Sequence, residues 1–473
     1  MSHTAIPAAG AREAAHPRGA STGTLLVLLT GIFITTLDFF IVNVAIPDIQ
    51  RGLGAGATAI QWVVAGFGLA LGGGLITGGR LGDLLGRRRM YALGLALFTA
   101  ASLACGVAPS PGSLIAARVA QGLAAALLMP QVLGIINGAF TGERRARAFT
   151  AYGLALGLGG VFGQLIGGAL IEADLFGAGW RSIFLINVPV GLVTLALVRR
   201  TVPAQARTRG TRLDVTGTVL VTLGLVALVL PLIEGRRLGW PAWTWASLGA
   251  SAVLLAVFAT YQYRLDRRGG APLVAPSLFR ERSFRVGSGL ALVYTLAMAS
   301  FFLYLALYLQ QGRGLSALES GLLFAILGAG YFAASTRATA IAARIGRQVL
   351  ALGAAVQATG CLLLTIALGD GIAWLIPGLV LVGAGMGFVL APLSALVLSG
   401  VTDRHAGSAA GVLSTAQQVG NALGVALVGI VFYGATGGIS DAFETSLLPV
   451  MAFCAATATL AQLLPRRPLS PGR

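Results

Sequence analysis

Two ionisable residues stand where the rest of the chain is apolar. Asp38 interrupts the run Thr24–Pro47, within Thr35-Thr36-Leu37-Asp38, and Arg118 interrupts the run Ser113–Phe140. A carboxylate in hydrocarbon is costly, and where one occurs it points to a proton relay, an ion path or a buried partner. At about 1.5 Å rise per residue, Asp38 lies past the middle of its run. Arg118 lies a short way in from the far end of its own, so helices of opposite direction would bring the two to one depth. Burial disfavours an ionised carboxylate, whereas a cation within about 4–6 Å favours it. Where the two effects oppose, a carboxylate can bind and release a proton near physiological pH. A static helix–helix ion pair is the competing reading.

Asp38 is the only acidic residue deep within any apolar run. Glu234, Glu319, Asp48 and Asp370 lie near run ends on one side, and Asp83, Glu143, Asp214 and Asp403 near those on the other. Asp83 sits in the stretch Gly79-Arg80-Leu81-Gly82-Asp83-Leu84-Leu85-Gly86-Arg87-Arg88-Arg89. Glycines there allow a tight turn and close helix approach. A basic loop placed by the positive-inside rule explains the arginines. It does not explain the Gly-x-x-x-Asp-x-x-Gly frame.

Composition says what must position these groups. Of 473 residues, 56% are hydrophobic and 10% charged, and mean hydropathy is +0.84. Soluble proteins carry about 25% charged residues. The net charge of +17 suggests a nucleic-acid partner until the charge is located. All 33 basic residues are arginine. With a cytoplasmic N-terminus, only Arg51, Arg181, Arg236, Arg237 and Arg313 fall in outer loops, which is orientation information and excludes a polyanion footprint. Cys105, Cys361 and Cys454 lie scattered in apolar runs without disulfide or metal spacing, and His3, His16 and His405 form no cluster. No cofactor is expected. The first 22 residues lack an apolar core before a cleavage site and read as a tail, not a signal peptide.

A span needs about 20 apolar residues, and the chain divides into fourteen: Thr24–Pro47, Ala59–Gly78, Met90–Ala108, Ser113–Phe140, Ala148–Ile171, Ser182–Leu197, Val215–Ile233, Trp243–Tyr261, Val286–Leu309, Leu318–Ala340, Val349–Leu368, Ile372–Leu398, Ala406–Val431 and Leu447–Leu464. The even count puts both termini on one side. The expected organisation is an all-α membrane protein of six, two and six helices. It has a cytoplasmic tail at 1–23, a six-helix bundle at 24–198, basic linkers with an inserted helix pair at 199–284, a second bundle at 285–465 and a tail at 466–473. Ala343-Arg344-Ile345-Gly346-Arg347 looks like an eroded copy of the Gly79 stretch, two helices into the second half as the first is two into the first. Such repeats place a substrate site at their interface near the midplane.

Several stretches resemble one family. The Gly79–Arg89 loop is similar to the signature loop of major facilitator superfamily transporters. Leu114, Arg118, Gln121 and Gly122 match that family's fourth helix, where the arginine is taken to tune protonation of a nearby acid. In span 5, Gly153, Gly157, Gly159, Gly160, Gly163, Gly167 and Gly168 provide small residues at helix-packing spacing. The tail Gly163-Gln164-Leu165-Ile166-Gly167-Gly168 resembles the fifth-helix antiporter motif, with Gln164 where the family has proline, which should reduce the kink. Trp180-Arg181 with Phe184, Asn187, Pro189 and Gly191 resembles span 6 of the fourteen-span drug:proton antiporters. Leu213-Asp214 with Gly217, then Glu234-Gly235 and Gly239-Trp240, resembles their span 7. Gly411-Val412-Leu413, Thr415, Gln418, Gly420, Gly424 and Ala426 resemble their span 13. The resemblance covers Thr24 to about Gln462.

It implies a proton-coupled antiporter in the cytoplasmic membrane, a monomer exporting small amphipathic molecules, with no nucleic-acid partner. Asp38 and Arg118 would couple protons. Gly79, Asp83, Gly86, Arg87 and Arg88 would form a latch, with Asp83 meeting the start of span 13 near Gly407, where a helix N-terminus favours a carboxylate. Candidate cavity residues are Trp62, Phe67, Gln121, Tyr294, Phe301, Tyr304, Gln417, Gln418 and Asn421. Family members carry tyrosine where Phe67 stands, so a hydroxyl is absent. A transporter of one physiological solute, such as an amino acid or siderophore, and a lipid-handling membrane protein remain as alternatives.

Overall fold

The computed structural model describes residues 21–204, 213–369, 371–398 and 406–465. The expected tails, Asp370 and Asp403 thus lie wholly or mostly outside the described residues. Among the described residues, fourteen helices are long and apolar enough to cross a membrane: α1 (Thr22–Leu53), α2 (Ala57–Leu85), α3 (Arg87–Gly106), α4 (Pro111–Ala139), α5 (Gly142–Ala173), α6 (Gly179–Thr201), α7 (Val215–Glu234), α8 (Ala242–Arg267), α9 (Arg282–Gly312), α10 (Ala317–Ile345), α11 (Gln348–Ala367), α12 (Ile372–Val397), α13 (Ala409–Phe432) and α14 (Ile439–Ala461). Several exceed their apolar runs because polar caps extend them. Ser21 and Thr24 form a capping box on α1, and Ser316 and Glu319 form one on α10, which satisfies donors that the first turn leaves free.

The packing repeats with an offset of eight helices. In the first half α2 packs on α4, α3 on α4 and α6, and α1 on α5; in the second α10 packs on α12, α11 on α12 and α14, and α9 on α13. Between the halves, α2 meets α13 and α5 meets α10, contacts that exchange under the same offset. The short connections repeat too. Gly86 between α2 and α3 has φ 100°, and Gly346 between α10 and α11 has φ 58°, conformations that a side chain resists. The chain is a fourteen-helix bundle of six, two and six.

The inserted pair α7 and α8 is held at one end by Asp214. Its carboxylate accepts from Gly217 N, Tyr261 Oη, Gln262 Nε2 and Leu273 N. Arg80 Nη2 donates to Pro272 O, 3.1 Å away, and so joins the end of α2 to the same knot. Along its length α7 lies against both α2 and α13.

Two helices depart from regular geometry beside the groups discussed below. In α6 the hydrogen-bond ladder is interrupted at Ile186, between Ser182–Leu185 and Asn187–Thr201, while the backbone there stays helical. Pro189 has no N–H to donate to the Leu185 carbonyl, which is the usual cause of such a break. The far end of α9 widens into a π-turn over Tyr308–Gly312.

A buried ion pair as the candidate functional site

The structure brings Asp38 and Arg118 together. Both side chains are fully buried, and Arg118 Nη1 donates to Asp38 Oδ2 at 2.5 Å. The other carboxylate oxygen accepts from Gln121 Nε2 and Asn187 Nδ2, each at 2.8 Å. Arg118 is fixed in turn: Nη1 reaches Gln121 Oε1 at 2.7 Å and Nε reaches the Val63 carbonyl at 3.1 Å. The Phe67 ring lies 4.3 Å from its guanidinium carbon, within cation–π range. Ser102 closes the network by accepting from Gln121 at 2.7 Å. Three helices of the first half, α1, α4 and α6, therefore meet at this carboxylate, and α2 and α3 complete the network around it.

A buried pair of this kind is tolerable only because nearly every polar atom in it is bonded. Two atoms are not: Arg118 Nη2 and Asn187 Oδ1 have no partner. Chemically the site can hold a carboxylate in its ionised form and alter its grip when a proton neutralises it. Asn187 entered the sequence reading only as part of a motif, and Ser102 not at all. Pro189, two residues on from Asn187, is the signal for it, since a proline inside a spanning helix frees a backbone carbonyl and commonly marks a functional position. Ser102 carried no signal, because small hydroxyls are common in spanning helices.

The nine candidate cavity residues do not converge. Gln121 belongs to the ion-pair network and Phe67 lies against Arg118. Tyr294 is buried in the second half, where its hydroxyl donates to Gln357 Oε1. Phe301 is buried and packs near Phe443 of α14. Tyr304 donates to the Val425 carbonyl at 2.8 Å. Gln418 lies against Gly68 and Gly72 of α2 and accepts from Asn421, and Gln417 is half-buried on the same helix. Trp62 donates to Glu234 at 3.1 Å and lines a cleft of about 610 Å³ between α2, α4, α7 and α13.

In the signature loop, Asp83 accepts from Arg87 at 2.9 Å, four residues on across the Gly86 turn. Arg88 donates to the Val202 carbonyl at the end of α6. The expected partner of Asp83 is the helix start near Gly407; the ion pair it forms is a local one, with Arg87. Helix α5 runs unbroken through Gln164, as a helix without proline should. Its glycines seat it on α1: a Cβ on Gly159 or Gly163 would lie 3.0 Å from the Phe33 or Leu37 carbonyl oxygen. A Cβ on Gly167 would strike Ile41 and Val44 of α1, and one on Gly168 would strike Ala317 of α10.

At the face opposite the described chain ends, the halves are joined by neutral hydrogen bonds. Gln310 and Gln311 of the π-turn donate to the Val44 carbonyl at 2.8 Å and to Gln50 Oε1 at 2.7 Å. Gln61 of α2 lies within 3.4 Å of both Tyr304 Oη and the Val425 carbonyl. Beside the π-turn is a cleft of about 720 Å³ whose walls include Asp48, Arg51, Glu172 and Ser316.

Comparison with known proteins agrees with this architecture. The Major Facilitator Superfamily model matches residues 28–425. The probable actinorhodin transporter of Streptomyces coelicolor is 40% identical over 422 residues, covering 87% of this chain and 72% of that protein. Puromycin resistance protein pur8 of Streptomyces alboniger is 39% identical, covering 87% and 82%. Multidrug resistance protein Stp of Mycobacterium tuberculosis is 34% identical, covering 86% and 75%. Among solved structures, a bacterial homologue of the lysosomal transporter Spinster, inward-facing and occupied, superposes with a TM-score of 0.66 at 17% identity, covering 95% of this chain and 98% of that one. The chain belongs to the Major Facilitator Superfamily and is a multi-pass membrane transporter, not an enzyme.

Proposed function

We propose that this transporter is a proton-coupled antiporter that exports amphipathic drugs or antibiotic-like metabolites across the cytoplasmic membrane, with both termini in the cytoplasm. The observation that carries the reading is the fully buried Asp38, held by Arg118, Gln121 and Asn187. The names of similar proteins support antibiotic-like cargo. A proton on Asp38 removes the charge that holds Arg118, and the helices gathered at the carboxylate shift their balance. The change stays inside the first half until α1 passes it on through Phe40, two residues further along, whose ring packs against Phe302 of the second half. Asp83, Arg87 and Arg88, with Gly79 and Gly86, serve as the latch on the cytoplasmic side. The protein works as a monomer.

The test is dye efflux from cells, with and without a protonophore, for the wild type and Asp38→Asn. Coupling predicts wild-type efflux that collapses with the protonophore and an Asn variant that stays at background. Efflux indifferent to both would overturn it. Protection confined to one solute across a chemically varied panel would favour the single-substrate alternative.

A further inference from the structure

Gln164 on α5 is fully buried, and both polar atoms of its side chain lack a partner. A buried amide left without bonds destabilises a fold, and one that is bonded does not. Two neighbouring helices share the condition: the Thr36 hydroxyl on α1 and the Ser320 hydroxyl on α10 are also buried and unpartnered. The three helices converge closely. A Cβ on Gly159 would lie 3.0 Å from Thr36 Cβ, one on Gly163 would lie 3.3 Å from Phe40 Cβ, and one on Gly321 would lie 2.8 Å from the Gln164 carbonyl oxygen.

A row of rings crosses the same region. Phe40 and Phe302 have centroids 5.3 Å apart with their planes tilted by 58°, and Phe302 stacks on Phe324 at 5.5 Å with an interplanar angle of 11°. Phe40 belongs to the first half and the other two to the second, so separation of the halves opens a slot bounded by the Phe302 face on one side and the tilted Phe40 ring on the other. Flat rings there favour an offset-stacked flat guest, and the amide offers that guest one donor group and one acceptor.

We propose that Phe40, Phe302 and Gln164 form a subsite for planar polycyclic aromatic molecules with carbonyl or hydroxyl groups at the edge. The ring system inserts between Phe40 and Phe302, and its polar edge bonds to Gln164, with Thr36 and Ser320 as further partners. The subsite rests on the export reading and adds the substrate class to it.

The experiment uses purified full-length protein in nanodiscs and two probes: a dihydroxyanthraquinone, flat with a polar edge, and tetraphenylphosphonium, aromatic but not flat. Gln164→Leu should weaken the anthraquinone by about tenfold, the order expected for loss of one or two hydrogen bonds, and leave the phosphonium unchanged. Phe302→Leu should weaken the anthraquinone by a similar factor. Because it removes an unpaired buried amide, Gln164→Leu should melt no lower than the wild type. Unchanged anthraquinone affinity, equal losses for both probes, or a lower melting temperature in Gln164→Leu would overturn the subsite. Cellular efflux separates the two readings. Export without Gln164-dependent binding removes the subsite alone, and Gln164-dependent binding without export removes the export reading alone.

Discussion

A single carboxylate with three side-chain donors carries the chemistry at the scale of the residue. Asp38→Asn keeps the shape of the side chain but cannot exchange a proton, so the protein should reach the membrane while gradient-driven efflux falls to that of cells without it. Arg118→Leu should be worse for folding, because it leaves a buried carboxylate without its cation, a loss of about 3–5 kcal/mol. Replacing both Asp38 and Arg118 by leucine should restore much of that stability but no transport, and thermal unfolding in detergent beside dye efflux would check both. A double variant no more stable than Arg118→Leu would contradict the argument. This part of the site was legible in the sequence, since an acid and a base in otherwise apolar runs have few places to go. The partners Asn187 and Ser102 were not, because a neutral polar side chain in a spanning helix can bond within its own helix as readily as across to another.

Among the elements, the spans themselves were readable from hydropathy, and so was the close seating of α5. Gly163→Val would push side-chain atoms toward the Leu37 carbonyl oxygen, already 3.0 Å from a Cβ built there. Overpacking of that kind costs about 1–3 kcal/mol, and a lower melting temperature should register it. Helix rotation was not readable. In a soluble protein the polar face of a helix reveals its orientation, but lipid and core are both apolar, so Tyr294 and Phe301 gave no sign that they face their own half, nor Tyr304 that it reaches Gln61 of the other. The π-turn of α9 was equally hidden, since its five residues Tyr308–Gly312 have no special composition. Replacing Gln310 and Gln311 with leucine removes two inter-half donors, each worth about 0.5–1.5 kcal/mol net. The closed state at that face should lose population by roughly 5- to 150-fold, which spin labels at Arg51 and Ser316 would report as longer distances. An unchanged distance distribution would mean that the glutamines do not hold the closure.

For the whole molecule, the eight-helix offset makes the two halves alike in packing and unlike in charge. The buried carboxylate and its cation lie in the first half. The described part of the second offers hydroxyls, amides and rings at comparable depth. A doubly charged cation in the cavity would therefore face one carboxylate and leave a net charge in a poorly solvated place. Lipophilic monocations and neutral amphiphiles should be exported well, and a bis-cationic analogue of similar apolar area poorly. Growth protection of expressing cells against the matched pair reads this directly. Equal protection would require an acid at a helix end, such as Glu234 beside Trp62, to reach the cargo.

The closure opposite the chain ends has one further consequence. Gln61, Gln310 and Gln311 join the halves there through amides, carbonyls and a phenol. Such bonds are not weakened by mobile ions, whereas exposed ion pairs are screened over a Debye length of about 8 Å at 0.15 M salt. A closure built this way holds equally well in dilute water and in brine. With the orientation proposed above, external ionic strength should then leave the turnover rate unchanged.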